Sequence, residues 1–326
     1  VKLPIPTITY ADAMDRYGID KPDVRFDLRL HDLTETLRDR VEFRVFADAI
    51  ERGGIVKALP IGDGSTFTRK DLDKTFPTEA ATFGARGVAW ARIAADGAWS
   101  GPVAKGLSDE LREAVTAQLG VGPGALVLFV ADKPAVANAS LARLRGVAAE
   151  RLGLIAPDAF AFCWVVDFPM FEYDEGLGRW FAMHHPFTSP RDEDQHLLQS
   201  DPGRVRAKAY DLVLNGVELG GGSIRIHSGD VQDRVFGLLG LSEAERREKF
   251  GFFIDALGYG TPPHGGIALG LDRLMMLLCG ADSLRDVIAF PKTQRASCLM
   301  TASPSSVAPA QLEELHIRTL QAKSES

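Results

Sequence analysis

The chain has 326 residues, enough for two domains and a sizeable core, with the 45% hydrophobic and 25% charged content of an ordinary globular protein. A net charge of -7 argues against a broadly basic nucleic-acid surface. Cys163, Cys279 and Cys298 are too few and scattered for a disulfide framework or a zinc site, which points to a reducing, cytoplasmic setting; no apolar run reaches membrane-span length and no signal peptide stands out.

Val1 and the extended Leu3-Pro4-Ile5-Pro6 read as the start of a chain whose front is missing. Thr9 is placed to cap a short helix that Gly18 ends. Residues 41–46, 55–59 and 88–93 read as strands, with a helical stretch over 69–83 interrupted at Pro77 and another from Ser108 to Leu119 closed by Gly120. A buried-type strand over 126–131 completes a compact α+β unit, expected over 42–131, that holds almost no candidate chemistry.

A long helix over 135–151 and a buried strand over 160–166 follow. Residues 180–183 read as a strand leading into His184-His185-Pro186-Phe187. A lone histidine is usually a satisfied core residue, whereas two adjacent ones held by a proline more often line a cavity. They lack a third ligand at zinc-type spacing.

The segment YDLVLNGVELGGGSIRIH, residues 210–227, reads as a β-hairpin turning at Asn215-Gly216. In that register Leu214 faces Val217, Val213 faces Glu218 and Asp211 faces Gly220. Asp211 and Glu218 then share a face as diagonal neighbours, roughly 7 to 8 Å apart at the backbone. Two readings stay open at this point: a solvated acidic face, or a pair of hard oxygen ligands for Mg²⁺ carrying phosphates. Gly220, Gly221 and Gly222 favour close approach of a ligand. Arg225 has the opposite parity from Glu218, and a bulge within the glycine run would bring it to the carboxylate face.

A capping box at Ser242 and Glu245 opens a helix to about residue 257. Residues 265–270 read as a buried strand running straight into a nearly enclosed helix at 271–278, with Arg273 in its first turn. A cation there makes sense beside a docked anion, or in a salt bridge with a nearby carboxylate. Acidic pair, glycine run and helix-start arginine together describe a nucleotide site without a P-loop or a Rossmann fingerprint.

Residues 266–273, GIALGLDR, resemble motif 3 of class II aminoacyl-tRNA synthetases. With MHHPFTSP, AYDLVLNGVELGGGSIRIH, YGIDKPDVRF and DVIAFPKT, they make nearly the whole chain similar to the bacterial-type aspartyl-tRNA synthetase family. The resemblance implies an α+β fold: a class II antiparallel sheet flanked by helices, six-stranded when complete, with a small α+β insertion called GAD. Residues 1–41 would lead into that insertion, and 132–326 would be the C-terminal half of the catalytic domain. It implies activation of aspartate by ATP, with Mg²⁺, and transfer to tRNA, by a homodimer when complete. Asp211 and Glu218 would hold Mg²⁺ and phosphates. Glu218, Gly220, Gly221, Gly222, Gly270 and Arg273 would form the ATP site, with Arg273 on the γ-phosphate. His184, His185 and Arg225 would line the aspartate pocket, Arg225 clamping the side-chain carboxylate; Arg225 and Arg273 would be the catalytic cations.

The family's OB-fold, motif 1 and motif 2 do not appear in this sequence, so the chain is expected to be the C-terminal portion of such an enzyme or a truncated copy. A relative that makes asparagine through the same adenylate, or a non-catalytic module binding tRNA or protein through residues 42–131, are the competing readings. The expectation is that the isolated chain charges no tRNA; measurable aminoacylation by the purified chain would refute it.

Overall fold

The computed structural model describes residues 3–320; Val1 and the tail beyond residue 320 lie outside the described residues. The chain forms two compact units that divide at Leu269 and Gly270.

In the first unit, β1 (Thr7–Thr9) runs into α1 (Tyr10–Tyr17). Then come β2 (His31–Asp32), α2 (Thr34–Leu37), α3 (Arg44–Glu51), β3 (Ile55–Ile61), α4 (Phe76–Ala81), β4 (Ala89–Ile93), β5 (Trp99–Ser100), α5 (Asp109–Leu119) and β6 (Leu126–Asp132). The long α6 (Pro134–Arg151) leads to β7 (Phe162–Val166), β8 (Phe171–Asp174), β9 (Arg179–Ala182), β10 (Ala209–Leu214) and β11 (Val217–Ile224). Helices α7 (Gly229–Leu238) and α8 (Glu243–Gly258) precede β12 (Gly265–Leu269).

Local chemistry sets the helix ends. Thr9 accepts from the Asp12 amide at 3.0 Å to open α1, Ser108 does the same for Leu111 in α5, and Ser242 and Glu245 form a reciprocal capping box on α8. Gly18 and Gly120 close α1 and α5 in the left-handed conformation. The expected strand over 41–46 is instead the entry to α3. Phe43, Phe46 and Ile50 recur at helical spacing, and the last two are buried against the small sheet. A turn of π-helix at Asp71–Thr75 accounts for the interrupted helical stretch before Pro77.

The smaller sheet has strand order β2-β3-β6-β4-β5, antiparallel throughout. Since β2 and α2 belong to it, this layer reaches further toward the N-terminus than residue 42. It is covered on both faces. Leu59, Ile61, Leu128 and Val130 pack toward α6, while Val56, Ala58, Val127 and Phe129 pack toward α3 and α5.

The larger sheet has order β1-β7-β10-β11-β12. Its pairs are antiparallel except β1 with β7. One face, through Cys163, Val165, Ala209 and Val213, joins the buried cluster that includes Ala13 of α1. Helix α1 therefore touches both layers. The expected buried strand at 265–270 is β12, exposed along its length, because it is the edge of this sheet. Among the described residues, no helix is long and apolar enough to cross a membrane.

The second unit holds α9 (Leu271–Leu278) and α10 (Pro309–Glu314). Helix α9 is not enclosed: Leu271, Met275 and Leu278 are 67%, 41% and 56% exposed. Two turns carry one apolar stripe, and enclosure needs a packed partner on it.

Gly18 has φ +71°, and a Cβ there would strike the Asn138 carbonyl oxygen of α6, whereas Gly120, at φ +63°, faces open space. Urea unfolding should therefore show Gly18→Ala costing on the order of 2 kcal/mol or more, and Gly120→Ala only about 1 kcal/mol.

Candidate active site

The hairpin forms as its sequence dictates. Asn215 (φ 52°) and Gly216 (φ 81°) occupy the positive-φ corners, and the Asn215 side chain stitches the turn to the chain before β7. Its Oδ1 accepts from the Ala161 amide at 2.9 Å and its Nδ2 donates to the Ala159 carbonyl at 2.8 Å. Leu214 pairs with Val217 and Val213 with Glu218, but Leu212 then pairs with Gly220 and Asp211 with Gly221. The expected Asp211–Gly220 pairing is thus displaced by one, because Leu219 is an extra residue on β11, a bulge just ahead of the glycine run rather than inside it. Residues Glu218, Gly221 and Ser223 consequently share the face of Asp211, and the same alternation carries Arg225 to it.

The glycines have separate reasons. A Cβ on Gly221 would strike the Asp211 carboxylate and lie 3.8 Å from Glu218 Oε1. At Gly220 and Gly222 it would strike the backbone of β12, at Ala268 and Gly266. The run permits close packing of β12 and leaves the carboxylates room above Gly221.

Arg225 follows the end of β11, where its amide donates to the His264 carbonyl at 2.9 Å and the neighbouring backbone bonds to Phe187 and Ser189. Its Nη1 donates to Ser223 Oγ at 2.6 Å and abuts Nε2 of His185. The His184 ring packs edge-on against Phe168, with centroids 4.9 Å apart, so the two histidines do point in different directions. Burial lowers both imidazole pKa values. For His185 the Arg225 charge adds to that, while Glu218 and Asp20 oppose it at His184.

Asp211 is the electrostatic centre. Burial first, then the charges of Glu218 and Asp20, push its carboxyl up from 3.8 to about 6, with Lys21 opposing. Asp20 and Lys21, in the segment after α1, lie close enough for their charges to act on Asp211, and reading for function passed over them. The signal was the acid-rich Asp20-Lys21-Pro22-Asp23 break itself. The structure thus brings together Asp20, His184, His185, Asp211, Glu218, Gly221 and Arg225. Gly270 and Arg273 belong to the second unit, Gly270 preceding α9 and Arg273 in its first turn.

Mg²⁺ fits the donor chemistry of the pair: two carboxylates on one face, one of them raised by burial and by the charges of its acidic neighbours. Among the described residues, no group of three His, Cys, Asp or Glu side chains is arranged to hold a metal.

A family model described as tRNA synthetases class II (D, K and N) matches residues 1–294. The chain belongs to this family. An aspartate-tRNA(Asp/Asn) ligase of Desulfatibacillum aliphaticivorans is 51% identical over 318 residues, which are 98% of this chain and 53% of that protein. An aspartate-tRNA ligase of Bacillus licheniformis is 54% identical over 97% of this chain and 53% of its own length. The chain spans about half the length of the curated relatives it matches. An aspartyl tRNA synthetase structure from Entamoeba histolytica is 23% identical over 41% of this chain and 23% of that one, with a TM-score of 0.31, too slight a likeness to bear on the fold.

For this class II synthetase chain, a carboxyl whose folded pKa lies above its unfolded 3.8 weakens the fold once ionised. Asp211→Asn should raise the thermal midpoint above pH 6, and the gain should shrink to nothing as pH falls below the unfolded value. Calorimetric scans of both proteins across that range check the sign; a pH-independent difference would contradict it.

Proposed function

We propose that this chain binds ATP, Mg²⁺ and aspartate for aspartyl-adenylate formation in an aspartate-tRNA ligase, with tRNA as the later acceptor of the aspartyl group. The observation that carries the reading is the single sheet face on which Asp211, Glu218 and Arg225 converge above a glycine floor. In the reaction a carboxylate oxygen of aspartate attacks the α-phosphorus of ATP, the bond to the bridging oxygen breaks, and pyrophosphate leaves. The terminal adenosine of tRNA then takes the aspartyl group and AMP departs. Such chemistry asks for alignment and charge neutralisation more than for a general base.

Asp211 and Glu218 would hold Mg²⁺, which would supply neutralisation of the phosphate charge. Arg225, held by Ser223 and His185, offers its guanidinium as a two-pronged clamp for the side-chain carboxylate of aspartate, a contact neutral asparagine cannot return. Keeping His185 neutral prevents it from repelling that clamp. Asp20 supplies a third carboxylate beside the pair, available to the α-ammonium group of the amino acid. Gly220, Gly221 and Gly222 let the adenosine lie close to the strand; for Gly270 and Arg273 the ATP role, Arg273 on the γ-phosphate, rests on the motif 3 resemblance.

Calorimetry with ATP, with and without Mg²⁺, and with aspartate tests the proposal. Mg²⁺-dependent ATP binding is the expected result, and its absence would favour a non-catalytic module. Arg225→Lys should weaken aspartate by on the order of 10- to 100-fold while ATP affinity changes little, because lysine lacks the fork. Arg273→Ala should chiefly weaken ATP. Equal losses of both ligands in Arg225→Lys, or unchanged ATP affinity in Arg273→Ala, would remove those assignments.

A further inference from the structure

Asp20 lies three residues beyond the end of α1, and the backbone on either side of it is gripped by a buried cation. On the upstream side stands Lys57 of β3, only 3% exposed. Its Nζ donates to the carbonyls of Met14 at 3.1 Å and Asp15 at 2.7 Å, the last turn of α1, and to Asn138 Oδ1 of α6 at 3.0 Å. The Asp15 carboxylate lies 3.4 Å away. On the downstream side stands Arg145 of α6, also 3% exposed. Its guanidinium donates to the carbonyls of Leu28 at 2.5 Å, Asp23 at 2.8 Å and Phe26 at 2.9 Å, and lies over the rings of Tyr17 and Phe26.

Burying two cations is expensive, and burial lowers the pKa of both, that of Arg145 to about 10. Apolar side chains would fill the same space at less cost, but they would hold no carbonyl. A lysine at a helix C-terminus satisfies the last carbonyls and fixes where the helix stops. An arginine reaching three carbonyls fixes the curvature of an irregular segment that has no ladder of its own. Further contacts close the frame: the Leu30 amide donates to the Arg16 carbonyl at 2.8 Å, Gly18 lies against Asn138, and Asp23 lies against Gly216 in the hairpin turn.

We propose that Lys57 and Arg145 are positioning residues that set where Asp20 stands relative to the Asp211, Glu218 and His184 cluster. Lys57 belongs to the small sheet, so the α+β layer acts on the site through the α1 terminus. The geometric part is independent of the ligand; the aspartate arm below rests on the proposed function.

Amide hydrogen exchange of the whole chain reads the geometry. Lys57→Met should speed exchange of residues 18–28 by on the order of tenfold or more, with β10 and β11 unchanged, and Lys57→Arg should restore most of the protection. Leu111→Ala, in the core on the opposite face of the small sheet from Lys57, should destabilise the layer without singling out 18–28. If Lys57→Met does not fold, Asn138→Ala removes one partner of the ammonium and should show a weaker effect in the same segment. Unchanged or uniformly raised exchange overturns the proposal.

Where the wild-type chain binds aspartate, Lys57→Met should weaken aspartate by about tenfold and ATP little, and it should add no further loss on an Asp20→Asn background. Additive losses would overturn action through Asp20. If the wild type binds no aspartate, the proposed function fails while the exchange experiment still decides this proposal.

Discussion

A two-for-one pairing opposite Leu212 and Val213 decides which side chains of β11 face Asp211. Without the extra Leu219, strict alternation would leave Glu218 beside Asp211 and send Ser223 and Arg225 to the other face. With it, two acids and a cation occupy one face, separated along the strand by a glycine whose missing Cβ leaves room for the Asp211 carboxylate. Leu219 is itself buried, so the irregularity is anchored by packing.

Electrostatics follows from that geometry. The carboxylate face also carries Val165, Val213 and Cys163, so Asp211 emerges from an apolar surface with Glu218 and Asp20 for company. At the other end Arg225 has a hydroxyl and an imidazole around its Nη1. The site is therefore polarised along the strand, acidic near the turn and cationic near the strand end. That gradient suits a substrate pair in which phosphates travel with a cation and an amino acid carries a carboxylate at one end.

Much of this was legible in the sequence where the chemistry is local. Asn215-Gly216 specifies its turn, Ser242 with Glu245 its helix start, and the parity of Asp211 and Glu218 their shared face. The exact place of the bulge was not legible, because glycine-rich pairing specifies register weakly and the side chain that anchors it is an ordinary leucine. Phe43, Phe46 and Ile50 misled because a short apolar run fits a strand or a helix until its partner layer is known. Asp20 was missed since the group its charge acts on, Asp211, lies nearly two hundred residues away in sequence. Strand β12 and helix α9 were expected inside, their composition being apolar; composition does not say whether a neighbour is present to cover it.

Burial and the neighbouring acids raise the Asp211 carboxyl to about 6, so binding of a cation there, as proposed, would displace protons increasingly as pH falls toward that value. The heat of that exchange belongs to the buffer as much as to the protein. Binding enthalpies measured in buffers of different ionisation heat would then differ in proportion to the protons released, and that proportion would fade at alkaline pH, where Asp211 is already ionised.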